Sequence, residues 1–188
     1  MPLDRNDGQF MLLRTYEILA DVVGHRLDGS NGIILMPCGD GDQFHDLYKH
    51  LAETVQFQSL PRIHVLSLNG GALLIPEHSP FNKERDYGSV LIEHAVTAVK
   101  LKGIQTIVLE AHAPCGMARA AGLDLVSVVR LLVAAKRRLK VHLPNVSVAL
   151  FFHAHRADCR NTYFVSAQKF EEWFDRHRDR ALDIPATS

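Results

Sequence analysis

Only three of the 188 residues are cysteine. An odd and small number rules out a disulfide scaffold, so the thiols point to metal binding or catalysis in a reducing compartment. No apolar run approaches the roughly 20 residues of a membrane span. The opening Met1-Pro2-Leu3-Asp4-Arg5-Asn6-Asp7 lacks the apolar stretch of a signal peptide, so a cytoplasmic protein is expected. Excess charge is missing too. Lys plus Arg equals Asp plus Glu at 21 each, which leaves no electrostatic footprint for nucleic acid or an anionic membrane. There is no Gly-x-Gly-x-x-Gly or Walker sequence, no internal repeat and no low-complexity stretch.

The hydrophobic fraction of 47% and charged fraction of 22% are those of a globular protein with a real core. The length fits a single domain, residues 1–188, with a helical arm over 1–28 and an α/β core over 29–188. Phe10 to Leu27 has helical spacing, with Leu12, Tyr16, Leu19 and Val23 on one face. Asp28-Gly29-Ser30-Asn31-Gly32 breaks it. Apolar runs over 32–35, 63–68, 105–111 and 146–152, with a short one at 163–165, predict strands. Helical patterns lie between them: 44–55, 87–101 closed by Gly103, and a segment capped by Asp124. A last helix, capped by Ser166, carries Phe170, Trp173 and Phe174 as a packing stripe. This alternation predicts a three-layer α/β/α fold around a mainly parallel sheet of about 4–5 strands. The basic run Lys136-Arg137-Arg138 reads as the solvated end of a helix.

Two segments carry the chemistry: Met36-Pro37-Cys38-Gly39-Asp40-Gly41-Asp42 and His112-Ala113-Pro114-Cys115-Gly116. Each follows a buried-strand pattern, and ligands gather at the carboxyl ends of strands in open α/β sheets. Together they offer two thiolates, an imidazole and a carboxylate, the ligand types of a tetrahedral zinc site. Convergence requires the two strands to be neighbours. A helical stretch beginning at Cys115-Gly116 favours the thiolate that zinc needs. Asp42, ahead of Gln43-Phe44-His45, reads as a cap of the next helix, and His45 as a partly exposed helix histidine. His153 and His155 alternate onto one strand face; with Cys159 they read as surface histidines and a spare thiol.

The motifs resemble those of the β-class carbonic anhydrases, Cys-x-Asp-x-Arg and His-x-x-Cys-Gly, here Cys38-Gly39-Asp40-Gly41-Asp42 and His112-Ala113-Pro114-Cys115-Gly116. Gly88 to Val96 is similar to the family's Ser-x-x-(Glu/x)-Tyr-Ala-Val helix, and Asn69-Gly70-Gly71 to its Arg-Asn-Ala-Gly-Asn turn. The resemblance implies that Cys38, His112 and Cys115 hold one zinc ion per chain, and that Asp40 is the fourth ligand or leaves that position to water. It implies a homodimer or larger homo-oligomer, with the N-terminal helix of one subunit over the other, and a small-molecule substrate. The implied activity is that of a zinc-dependent lyase or hydrolase, the reversible hydration of carbon dioxide or a related small molecule.

Two positions depart from the pattern. Asp42 stands where the motif has arginine, and Leu68 where the turn has arginine. In the family the motif arginine pairs with the aspartate and holds it off the metal. Without that pairing, Asp40 and Asp42 become the residues that decide activity. The alternative is a non-catalytic zinc protein whose site is closed by two cysteines, a histidine and an aspartate. A thiol-transfer role is disfavoured because no Cys-x-x-Cys pair is present.

Overall fold

Apolar strands separated by amphipathic helices collapse, in the computed structural model, onto one six-stranded sheet of order β1-β6-β5-β4-β2-β3. The structure describes residues 5–22, 27–55, 57, 60–156 and 160–181. In chain order the elements are α1 (Arg5–Thr15), β1 (Leu19–Asp21), β2 (Ile33–Met36), α2 (Gly41–Thr54), β3 (Ile63–Val65) and a 3₁₀ turn (Gly71–Leu74). There follow α3 (Tyr87–Lys102), β4 (Thr106–Ala113), α4 (Gly116–Ala120), α5 (Leu125–His142), β5 (Ser147–His155), β6 (Arg160–Val165) and α6 (Ala167–Ala181). Strands β3, β2, β4 and β5 run parallel. Strands β6 and β1 are added antiparallel at one edge. The fold is therefore α/β with a mainly parallel sheet, as the alternation of elements predicts.

The sheet is covered on both faces because its strands alternate. In β4, Ile107, Leu109 and Ala111 enter the larger core with α3 and α5, while Val108 enters the smaller core against Leu47 and Leu51 of α2. Residues continuing the parity of Val108, namely Glu110 and His112, stand on the α2 side. Local signals end the helices where the sequence places them. Asp124 accepts from Ser127 N at 2.8 Å and starts α5. Gly103, at φ 67°, closes α3 in the left-handed region. Ser166 Oγ accepts from Lys169 N at the start of α6, and Phe170 and Trp173 are buried there. Among the described residues, no helix is long and apolar enough to cross a membrane.

Three expectations are corrected. The helix expected from Phe10 to Leu27 stops at Thr15, where Glu17 takes a φ of 53°. The chain then enters the sheet, and Leu19 pairs with Val165 rather than continuing a helical face; Val23 lies outside the described residues. This edge strand brings the sheet to six. Apolar residues at i and i+3 suit a helix, but the fully buried Leu19 finds more by pairing with β6. Finally, Arg138 is not solvated. Its side chain is 14% exposed and bonds Asp86 Oδ2 at 2.6 Å and Ile75 O at 2.6 Å, tying α5 to the start of α3. The pairing holds the Asp86 carboxyl well below the usual range, Arg138 being the main cause. α1 lies along α5 of its own chain, where Gln9 Oε1 accepts from Leu125 N at 2.9 Å.

The turn Asn69-Gly70-Gly71 lies beneath the loop that follows β2. Gly71 has φ 51°, and a Cβ there would sit 2.5 Å from Cys38 N and from the Pro37 carbonyl. Cys38 is thus pressed onto a turn that tolerates no side chain. Gly71→Ala is expected to cost about 2–5 kcal/mol through left-handed strain and overpacking. Denaturant unfolding measures that loss.

Candidate metal centre

Cys38 follows β2 and His112 lies in β4, strands that are adjacent and parallel with Met36 opposite Leu109. Past that point Pro37 has no N–H, and the loop turns over the Asn69-Gly70-Gly71 turn. Gly39 N donates to Leu68 O at 2.9 Å, and Gly70 N donates to Cys38 Sγ at 3.3 Å. Cys115 ends the β4 loop and caps α4. The result is a buried group in which ligand atoms of Cys38, His112 and Cys115 all lie within 4.8 Å of one another.

The donor set fits zinc. Bonds of about 2.0–2.3 Å in a tetrahedron put ligand atoms about 3.3–3.8 Å apart, compatible with atoms that all lie within 4.8 Å of one another. Both ring nitrogens of His112 are buried without a hydrogen-bond partner. A buried imidazole in that condition is costly unless something else coordinates it. The thiols interact as a pair. Cys115 is pulled down to about 6 by the Cys38 side chain and by backbone N–H groups of Ala118 and Met117, against burial. The same contact pushes Cys38 up. Burial alone would lower the His112 pKa, but Cys38, Glu110 and Asp40 outweigh it and the net shift is upward.

Asp40 is half-buried beside this group. Its Oδ2 lies 3.9 Å from His112 Nε2 and its Oδ1 accepts from Asp42 N at 3.0 Å. Asp40, not Asp42, is therefore the N-cap of α2, because the helix begins at Gly41 and only the residue ahead of it can reach the free N–H groups. Asp42 is exposed in the first turn, and His45 is exposed further along. Among the described residues, no lysine or arginine forms an ion pair or hydrogen bond with Asp40. Leu68, at the other departure from the motif, is also exposed, and its carbonyl accepts from Gly39 N and Gly71 N.

The group opens into a cleft of about 820 Å³ whose walls include Asp40, Asp42, His112, Cys115, Arg119 and Arg160. Arg160 is committed to Asp46 at 3.1 Å and to His155 Nε2 at 2.9 Å. His155 is half-buried at the cleft. His153, expected at the surface, is 1% exposed because β5 is an inner strand and this side chain shares the face of the buried Phe151; its Nδ1 meets Thr162 Oγ1 at 2.9 Å. Burial pushes it down to about 4, so it stays neutral beside His112. Cys159 lies outside the described residues.

Sequence reasoning missed Glu110. It is 2% exposed, its Oε2 accepts from Cys38 N at 3.3 Å, and burial pushes its pKa up to about 7. The available signal was its parity with His112 in an otherwise apolar strand.

Fold and donor set together define an α/β protein with a buried Cys-His-Cys group able to hold a metal ion. No family model matches the chain, and no curated protein matches it. Among solved structures it is similar to a carbonic anhydrase from Streptococcus mutans, at 13% identity and TM-score 0.46, over 88% of this chain and 100% of that one. It is also similar to β-carbonic anhydrase isoform I of Trichomonas vaginalis, at 11% identity and TM-score 0.47, over 84% and 94% of the two chains. A carbonic anhydrase from Glaciozyma antarctica matches at 13% identity and TM-score 0.46, over 72% and 83%. At these values the likeness carries no argument about chemistry, which rests on the residues themselves.

The thiol pair yields a direct expectation for the metal-free protein. As pH rises through about 6, the Cys115 thiolate should form, read as thiolate absorbance and as alkylation of Cys115 ahead of Cys38. Cys38→Ala should move that step upward. A single step confined to the ordinary thiol range would show that the two sulfurs do not interact.

Proposed function

We propose that this chain is a zinc-dependent lyase or hydrolase of the carbonic anhydrase type, acting on carbon dioxide or a related small molecule, with its resting site closed by Asp40. One observation carries the reading: buried ligand atoms of Cys38, His112 and Cys115 lie within 4.8 Å of one another, and His112 and Cys115 line an open cleft. Zinc held there would supply a Lewis acid that makes water acidic enough to react near neutral pH. Cys38 and Cys115 would bind as thiolates and His112 through one ring nitrogen. Asp40 Oδ2 is separated from His112 Nε2 by little more than one ligand-to-ligand distance, so it can serve as the fourth ligand. A cytoplasmic homodimer or larger homo-oligomer belongs to the same reading.

Charge decides how active such a site can be. Two thiolates cancel the charge of zinc; Asp40 and Asp42 add negative charge at the mouth, Arg160 is committed to Asp46, and Arg119 on the cleft wall offsets only part of it. That arrangement disfavours an anionic product and raises the pKa of water at the metal. Asp40 meets the Asp42 N–H instead of a guanidinium. This contact favours a second reading, in which Asp40 is a permanent ligand and the protein is a non-catalytic binding or assembly factor. The fourth ligand separates the two. Exchangeable water near neutral pH supports the enzyme, and Asp40 bound at every pH supports the non-catalytic protein.

Purified protein should carry about one zinc per chain, as a site with four protein ligands binds tightly; substantially less would sink both readings. In stopped-flow assays the wild type should hydrate carbon dioxide weakly or not at all. Asp42→Arg should raise the rate roughly 10-fold or more, the equivalent of one charge-assisted hydrogen bond to Asp40. Strong wild-type activity would mean that another group already holds Asp40 away from the metal.

A further inference from the structure

The carboxylate behind the ligands has no role in the motifs. Glu110 is the one acidic side chain in the buried polar set of the described residues. It belongs neither to the group of mutually close ligand atoms nor to the wall of the cleft. Its Oε2 takes the Cys38 N–H at 3.3 Å, across 72 positions of sequence. This bond falls just beyond the β2–β4 ladder, after Pro37 interrupts it, so a side chain continues what the backbone cannot. One side chain thereby fixes the Cys38 loop to the strand that carries His112.

Its second oxygen supplies the rest of the argument. Glu110 Oε1 is buried and unpartnered, and so are both ring nitrogens of His112. The two residues are two positions apart on one face of β4, a strand rise of about 6.5 Å, which side chains of their length can bridge. An imidazole that gives one nitrogen to a metal keeps a proton on the other, and that N–H needs an acceptor. Metal-bound histidines commonly find it in a carboxylate. Asp40 faces Nε2, which leaves Nδ1 as the nitrogen turned toward the protein. His153, opposite His112 in the sheet, is the competing acceptor through its own unpartnered Nε2.

We propose that Glu110 is the positioning residue of the metal centre, holding the Cys38 loop with one oxygen and accepting the His112 Nδ1 proton with the other. The proposal rests on the zinc reading above. Glu110 touches neither substrate nor metal; it sets the spacing of the two ligand segments and the orientation of the imidazole.

Glu110→Gln tests it with a readout independent of activity. Glutamine keeps an oxygen for Cys38 N–H but turns an amide NH₂ toward His112. Zinc affinity by chelator competition should fall about 10–100-fold, with the metal-free unfolding midpoint little changed. Glu110→Asp, which keeps both acceptors, should recover part of the loss. In zinc-loaded wild type, the His112 ring N–H should exchange slowly with solvent by nitrogen-15 NMR. Glu110→Gln should lose that protection, whereas His153→Phe should keep it. Should Glu110→Gln fail to fold, the wild-type exchange measurement decides alone. Wild-type affinity in Glu110→Gln, a freely exchanging ring proton in wild type, or protection lost only in His153→Phe would each overturn the proposal. Failure of the wild type to bind zinc at all would instead overturn the zinc reading on which it rests.

Discussion

Parallel pairing of β2 with β4 is the constraint on which the site depends, because it sets Met36 opposite Leu109 and so brings the two following loops to one end of the sheet. Cys38 lies just past β2, and His112 lies near the end of β4 with Cys115 in the loop beyond. If the strands slipped by one residue, His112 would change faces relative to Cys38 and the group would disperse. The register is secured by burial on both sides: Ile34 and Met36 in one core, Ile33 and Leu35 in the other. The interior of the sheet thus carries the precision that the loops need.

A second layer of support acts on the loops. Gly71 lets the turn after β3 pass within backbone contact of Pro37 and Cys38. Gly70 N gives Cys38 Sγ a donor, and Glu110 anchors its N–H from below. Asp40 is both the cap of α2 and the neighbour of His112. Its carboxylate is therefore drawn by two demands, the free N–H groups of a helix start and the cation the other ligands would hold. This dual use makes Asp42 influential: its backbone N–H holds Asp40, and its side chain adds negative charge at the cleft.

Much of this was legible in the chain. The two motifs sit at strand ends because β-branched runs precede them, and the Asp124 and Gly103 signals mark helix ends through local hydrogen bonding and backbone freedom. What escaped was tertiary. Leu19 joins a strand because β6 offers a partner that no local pattern announces. His153 is buried because β5 is an inner strand, flanked by β4 and β6. Arg138 leaves solvent for Asp86, 52 positions away in the chain. Asp40 displaced Asp42 as cap by a boundary shift that propensity does not resolve. Glu110 was hidden inside a strand whose apolar neighbours suggested packing alone.

The central claim is that two thiolates, one imidazole and one carboxylate oxygen share a single zinc ion. X-ray absorption at the zinc edge, on protein loaded with one equivalent and measured at two pH values, tests it most directly. The account predicts two sulfurs at about 2.3 Å and two nitrogen or oxygen neighbours at about 2.0–2.2 Å, with the sulfur shell unchanged between the two pH values. A spectrum without a sulfur shell, or with only one sulfur, would contradict it.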